Sequence, residues 1–231
     1  VFVMPNNLEP IITYKKLLEK IRIAHKKAVC DWGLFFGTDG NNLEEFEKVK
    51  GLVVGLKIYL NLTTGQLLVE DDDLIENIFQ KWPKDNVIIV HAEGEKIDLA
   101  INLAKKYKNK LHITHISCKD DLTKVIVAKS EGINITCDTT PSYLFLTDND
   151  GLKLSGFGSV RPNLATREDQ DYLWENLKYI DCLATDHAPH TVQEKRDFNP
   201  PSGIPGLETM LPLLLTAVKE KRLTIKSQDR N

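Results

Sequence analysis

The sequence predicts an α/β fold, a (β/α)8, TIM-like barrel that is incomplete by one strand. Three observations predict it. Short apolar, β-branched runs alternate with amphipathic helical stretches along all 231 residues, as in a parallel sheet covered on both faces. Successive strands start roughly 20 to 50 residues apart, which suits barrel units. No G-x-G-x-x-G or phosphate-cradling glycine loop follows any strand, so a nucleotide-binding doubly wound sheet loses support. Residues 1–231 are read as one partial barrel domain.

The elements follow in order. Val1 to Met4 is a short apolar strand, and Tyr14 to Ala28 a helix with Leu17, Leu18, Ile21 and Ala24 on one face. Val29 to Gly37 is the next strand, interrupted by Asp31, and Leu43 to Lys50 a short helix. Leu52 to Leu60 is an apolar strand that contains Gly55 and Lys57. Asp71, Asp72 and Asp73 give an acidic start to a helix over Leu74 to Trp82, which Pro83 ends. Val87 to Val90 is a β-branched strand, Ile97 to Tyr107 a helix and Leu111 to Ile116 a strand. Leu122 to Glu131 is a helix closed by Gly132, followed by the strand Ile133 to Cys137. Residues 139–166 read as irregular. Arg167 to Leu177 is a helix, Ile180 to Thr185 the seventh strand and Glu208 to Lys221 the last helix.

Composition narrows the function classes. Hydrophobic residues make up 42%, enough for a substantial core, and the net charge is -3. Neither a nucleic-acid surface nor an anionic-membrane surface is implied. Lys105-Lys106 and Lys219 to Arg222 sit in helical patterns and read as solvated faces. Cys30, Cys118, Cys137 and Cys182 form no C-x-x-C pair, and three lie in apolar runs. They are expected to be buried free thiols in a reducing, cytoplasmic compartment. No signal peptide is visible. The opening VFVMPNN reads as a core strand entered at once, so the chain is expected to be a fragment.

Chemistry is expected where strands end. The residues there are Asn6, Gly37, Lys57, His91, His115, Asp138 and Asp186, and a barrel builds its site at that face. Taken alone, His91 or His115 reads as a hydrogen-bonded core residue. Lys57 alone reads as a snorkelling side chain, and Asp186-His187-Ala188-Pro189-His190 as a turn. Together they read as a metal site, because His and Asp are ordinary zinc donors. Lys57 fits that set if its neutral amine takes up carbon dioxide, since the resulting carbamate is anionic and could bridge two ions. Two metals activate water and polarise a carbonyl, as amide hydrolysis requires. Asp186 is placed to move the proton. His25, His112, Asp31 and Glu93 are read as structural.

These residues sit in phrases that resemble dihydroorotases of the amidohydrolase superfamily. MPNN (Met4 to Asn7), GLKIYLN (Gly55 to Asn61), VHAEG (Val90 to Gly94) and HITHIS (His112 to Ser117) each resemble a family strand. VRP (Val160 to Pro162), IDCLATDHAPHT (Ile180 to Thr191) and GIPGLETMLPLLLTAV (Gly203 to Val218) extend the likeness over nearly the whole chain. It is greatest to the dihydroorotase domain of animal-type multifunctional proteins. The resemblance implies a binuclear zinc site bridged by carboxylated Lys57, with His91 and His115 on one metal. Asp186 would ligate the other and act as general acid and base. Asn6, Arg161 and His190 would hold a substrate carboxylate, with Thr63 on a mobile loop and Gly203 nearby through its backbone. It also implies carbamoyl-phosphate synthetase and aspartate transcarbamoylase domains in the same polypeptide, and a homo-oligomer.

The sequence departs from the family's pattern at several points. The H-x-H-x-R motif of the first strand is absent along with that strand, so this chain alone is expected to be inactive. Asp138 stands where the family usually has Glu, which leaves it only a possible metal ligand. Ser142-Tyr143 replaces a histidine pair and is more like a dihydropyrimidinase; Thr64 replaces an aromatic residue and Ser202 a proline. The expected activity is interconversion of N-carbamoyl-L-aspartate and (S)-dihydroorotate. The alternatives are a dihydropyrimidinase or hydantoinase, and a non-catalytic dihydroorotase-like structural domain.

Overall fold

The computed structural model describes residues 1–63 and 65–224. Parallel pairing joins seven strands: β1 (Phe2–Val3), β2 (Gly33–Gly37), β3 (Gly55–Tyr59), β4 (Val87–His91), β5 (Lys110–Ile113), β6 (Ile135–Thr139) and β7 (Cys182–Leu183). Their order in the sheet is their order in the chain. A doubly wound sheet reverses strand order part-way, whereas a barrel proceeds in sequence. The architecture is therefore an incomplete (β/α)8 barrel. The residues divide into two compact units, Val1–Thr114 with Thr123–Cys137, and His115–Leu122 with Asp138 onward.

In the first unit the central strands are buried on both faces, and all five residues of β3 are inaccessible. The helices there are α1 (Tyr14–Lys27), α2 (Phe46–Val49), α3 (Asp72–Lys81) and α4 (Glu95–Tyr107), with most of α5 (Lys119–Ser130). Asp71 caps α3 by accepting from the Leu74 N–H at 3.0 Å. Ile75, Ile78 and Phe79 then fall on one buried face. Trp82, wholly buried, meets Phe46 edge-on at 5.1 Å.

In the second unit the end of β6 pairs with β7, Asp138 opposite Cys182 and Thr139 opposite Leu183. The stretch expected to be irregular over 139–166 instead contains α6 (Pro141–Phe145), α7 (Asp148–Leu154) and a 3-10 turn, Ser155–Gly158. These helices are too short to show a 3.6-residue period. Further along are α8 (Arg167–Glu175), α9 (Val192–Lys195), for which no helix was expected, and α10 (Met210–Lys219). The Trp174 indole donates to the Leu144 carbonyl at 2.7 Å and stacks edge-on with Phe145, fastening α8 to α6.

Three expectations are corrected. The strand expected from Val29 begins only at Gly33, because Val29 is fully exposed in a turn. The last strand is two residues, not six. Only Cys137 is a buried thiol: Cys30 lies in the turn before β2, Cys182 is exposed on the short β7, and Cys118 is half-buried. All four are free, and burial pushes the Cys118 thiol up to about 12. No helix among the described residues is long and apolar enough to cross a membrane.

Candidate active site

In the first unit Lys57 lies in the middle of β3 rather than at its end, level with Ile89 and His112 on the neighbouring strands. Its long side chain makes up the difference. The Nζ donates to the Thr114 hydroxyl at 2.8 Å, two residues further towards the carboxyl end. That hydroxyl donates in turn to the Val90 carbonyl at 2.9 Å. Lys57 is 2% exposed and its Nζ stands 5.3 Å from the centre of the Tyr59 ring. His91 closes β4 opposite Tyr59, with the two rings 6.1 Å apart, and is 1% exposed. Its Nε2 faces the Glu93 carboxylate at 3.7 Å. Lys57 and His91 thus share one buried cluster on adjacent strands.

The other two residues expected in this unit sit on loops. Asn6 is half-buried beyond β1, in a turn held by the Pro5 carbonyl, which accepts from the Asn7 and Ile11 N–H groups. Thr63 is half-buried in the stretch after β3, which Leu67 and Val69 anchor in the core. Thr64 lies outside the described residues.

In the second unit His115 follows β5 with its backbone in the left-handed region, φ 44°. Such a conformation costs a non-glycine residue about 1–2 kcal/mol. The Asp138 carboxylate, buried at the end of β6, accepts from the His115 N–H at 2.7 Å and holds it there. One carboxylate oxygen of Asp138 is therefore engaged with backbone. Asp186 is also left-handed, φ 41°, and is exposed. Strained backbone at two candidate ligands is the pattern expected where structure over-determines a functional geometry.

His190, Gly203 and Arg161 belong to three segments tied to one another. The His190 Nε2 lies 3.1 Å from the Ser202 carbonyl. Gly203 has φ 144°, and a Cβ there would stand 2.5 Å from the Ala188 carbonyl oxygen and 3.2 Å from the His190 Nε2. Only glycine fits. The Gly203 N–H donates to the Ser159 carbonyl at 3.0 Å, two residues before the exposed Arg161.

Over 224 residues, 96% of its length, the chain is 44% identical to the multifunctional protein CAD of Squalus acanthias. Over 241 residues it is 35% identical to a dihydroorotase of Pyrococcus horikoshii. The chain resembles the dihydroorotases over nearly its whole length. It spans 54% of the Pyrococcus dihydroorotase and 10% of the Squalus protein. No family model matches it. Among solved structures, an L-hydantoinase (dihydropyrimidinase) from Arthrobacter aurescens superposes with a TM-score of 0.90 at 28% identity. That match covers 97% of this chain and 59% of the other. The inactive dihydroorotase-like domain of a Chaetomium thermophilum CAD-like multifunctional protein superposes at 0.79, also 28% identical, over 97% of this chain and 64% of that one.

Imidazole and carboxylate side chains, such as those of His91, His115, Asp138 and Asp186, are each ordinary zinc donors. His91 and His115 are both buried, and His115 is fixed through its backbone. Two supporting residues carry no signal in the sequence. They are Thr114, which receives Lys57, and Lys195; Tyr143 is singled out by the sequence, but not for the hydrogen bond that its hydroxyl donates to the Pro162 carbonyl at 2.8 Å. The signal available for α9 was T-x-x-E, Thr191 to Glu194, a capping box that the structure closes in both directions.

Proposed function

We propose that the protein containing this chain is a zinc-dependent dihydroorotase, a cyclic-amide hydrolase that interconverts N-carbamoyl-L-aspartate and (S)-dihydroorotate in pyrimidine synthesis. The observation that carries the reading is Lys57, almost wholly buried beside His91. A neutral amine can attack carbon dioxide: the N–C bond forms, a carbonyl electron pair moves to oxygen, and the amine proton leaves to water. The carbamate so formed shares one negative charge over two oxygens. The residues that would hold two ions are carboxylated Lys57, His91, His115 and Asp186, with Asp138 fixing His115 from behind. When bound, zinc polarises the amide carbonyl and acidifies water.

The chain's own groups supply the rest. Asp186 takes a proton from the nucleophile and returns it to the leaving nitrogen. Arg161, with Asn6 and His190, holds the substrate carboxylate through charge-assisted hydrogen bonds. Gly203 approaches through its backbone, and Thr63 belongs to the loop over the substrate. The likeness to multifunctional proteins supports further domains in the same polypeptide; that these are carbamoyl-phosphate synthetase and aspartate transcarbamoylase, and that the whole is a cytosolic homo-oligomer, belongs to the proposal alone.

The experiment is a substrate comparison on the full-length protein with zinc. Dihydroorotate should be turned over far faster than dihydrouracil, which leaves the carboxylate clamp unpaired. Arg161→Met should lower kcat/KM for dihydroorotate by about ten- to a hundredfold, because a charge-assisted bond is worth about 1.5–3 kcal/mol. Its zinc content should stay unchanged. The hydantoinase reading is favoured by the 0.90 superposition on the Arthrobacter enzyme and by Tyr143. Equal efficiency on both substrates would establish it. No turnover by the zinc-loaded protein would place it with the inactive domain.

A further inference from the structure

Lys195 ends α9 and is 5% exposed. Its Nζ donates to three backbone carbonyls: Pro201 at 2.8 Å, Gly203 at 3.0 Å and Ser159 at 3.1 Å. An ammonium has three donors, and here all three are used on main-chain oxygens. Among the described residues no carboxylate faces it. A buried cation without a counter-ion is costly, and burial does push the Lys195 pKa down. The group joins three segments.

Those segments carry the candidate clamp. Ser159 is two residues before Arg161. Gly203 packs against His190, whose Nε2 lies 3.1 Å from the Ser202 carbonyl. Ser159 also accepts from the Gly203 N–H, so one carbonyl oxygen receives both Lys195 and the glycine loop. On the far side of Arg161, the Tyr143 hydroxyl donates to the Pro162 carbonyl. The backbone at Gly156 lies so close to Lys195 that a Cβ would stand 2.0 Å from the Lys195 carbonyl oxygen. The Arg161 segment is thus fastened on both sides of the arginine, and one of the two fasteners also holds the His190–Gly203 segment.

We propose that Lys195 is a positioning residue for substrate-carboxylate recognition, fixing Arg161 relative to His190 and Gly203 through the carbonyls of Ser159, Pro201 and Gly203. This rests on the reading of Arg161 and His190 as the carboxylate clamp. Lys195 touches no reacting atom, so its loss acts on substrate binding rather than on the metal ligands.

The test uses the full-length zinc-loaded protein, with Lys195→Met, Lys195→Arg, Lys195→Gln and Arg161→Met measured together. Lys195→Met should raise the KM for dihydroorotate about ten- to a hundredfold, the scale expected of a misplaced contact. Its kcat should stay within about threefold and its zinc content should not change. Lys195→Arg, which keeps a cation with several donors, should recover most of the lost affinity. A fall in kcat or zinc content without a change in KM would show a merely structural role and overturn the proposal. If Lys195→Met does not fold, Lys195→Gln, which keeps two donors without the charge, decides: a raised KM with unchanged zinc content supports the brace, and a normal KM overturns it. Arg161→Met separates the two levels. Raised KM in Arg161→Met with normal KM in Lys195→Met sinks this inference alone. Normal KM in Arg161→Met sinks the clamp reading and this inference with it.

Discussion

Replacing Asp138 by alanine tests how His115 is held. The left-handed backbone of His115 costs about 1–2 kcal/mol. The hydrogen bond from its N–H to the buried Asp138 carboxylate, 2.7 Å long, is charge-assisted and worth about 1.5–3 kcal/mol. The bond outweighs the strain, and without it the balance reverses. In Asp138→Ala the backbone at His115 should relax, and the imidazole should lose its fixed aim. Zinc affinity should fall by about ten- to a hundredfold, as it does when the groups orienting a ligand are removed. Asp138→Asn keeps an oxygen in the same place without the charge and should fall less. The assays are zinc competition against a chelator and hydrogen exchange at the His115 amide. The second reads the backbone whether or not metal is bound. An alanine variant with unchanged zinc affinity and unchanged exchange at His115 would refute the argument.

Thr114→Val keeps the shape of the side chain but removes the acceptor for Lys57 and a donor to Val90. It should destabilise the protein by about 1–3 kcal/mol, measured by denaturant titration. Gly203→Ala places a methyl 2.5 Å from the Ala188 carbonyl oxygen at φ 144°. It should cost more than about 1 kcal/mol and raise KM, and unaltered kinetics would show that the loop yields freely. Asp169 caps α8: burial alone would raise its pKa, but hydrogen bonds from the Thr166 hydroxyl and the Lys119 and Thr166 N–H groups outweigh this and lower it. A depressed carboxylate stabilises above its unfolded value, 3.8, and that contribution is lost as pH falls through the lower folded value. Asp169→Asn should flatten acid unfolding in that window.

The sequence shows strands well where β-branched runs are bounded by breakers, as in Val87 to Val90. It misplaces the start of β2, because Val29 is apolar yet fully exposed. Periodicity does not reveal α6, α7 and α9, which are too short to display a helical face; for α7 and α9 the capping residues, Thr147 with Asp150 and Thr191 with Glu194, are the better signal. The candidate ligands stand out in the sequence because His and Asp are unusual at the ends of apolar strands and Lys is unusual inside one, where Lys57 lies. Their supports were not. Thr114 is 57 residues from Lys57 in the chain, and Lys195 meets Ser159 from 36 residues away. A hydroxyl or an amine that satisfies a distant partner leaves no periodic trace. Nor does a backbone angle: nothing in HITHIS marks His115 as left-handed.

The left-handed angles at His115 and Asp186 set fold against chemistry. Glycine at either position would accept the same backbone without penalty. His115→Gly and Asp186→Gly are therefore candidates for raising conformational stability in the protein without metal while deleting a donor. Selection for thermal robustness alone would drift towards glycine there, and selection for turnover would hold the costlier residues. The two positions are where a stability–activity trade-off should be sought in this barrel.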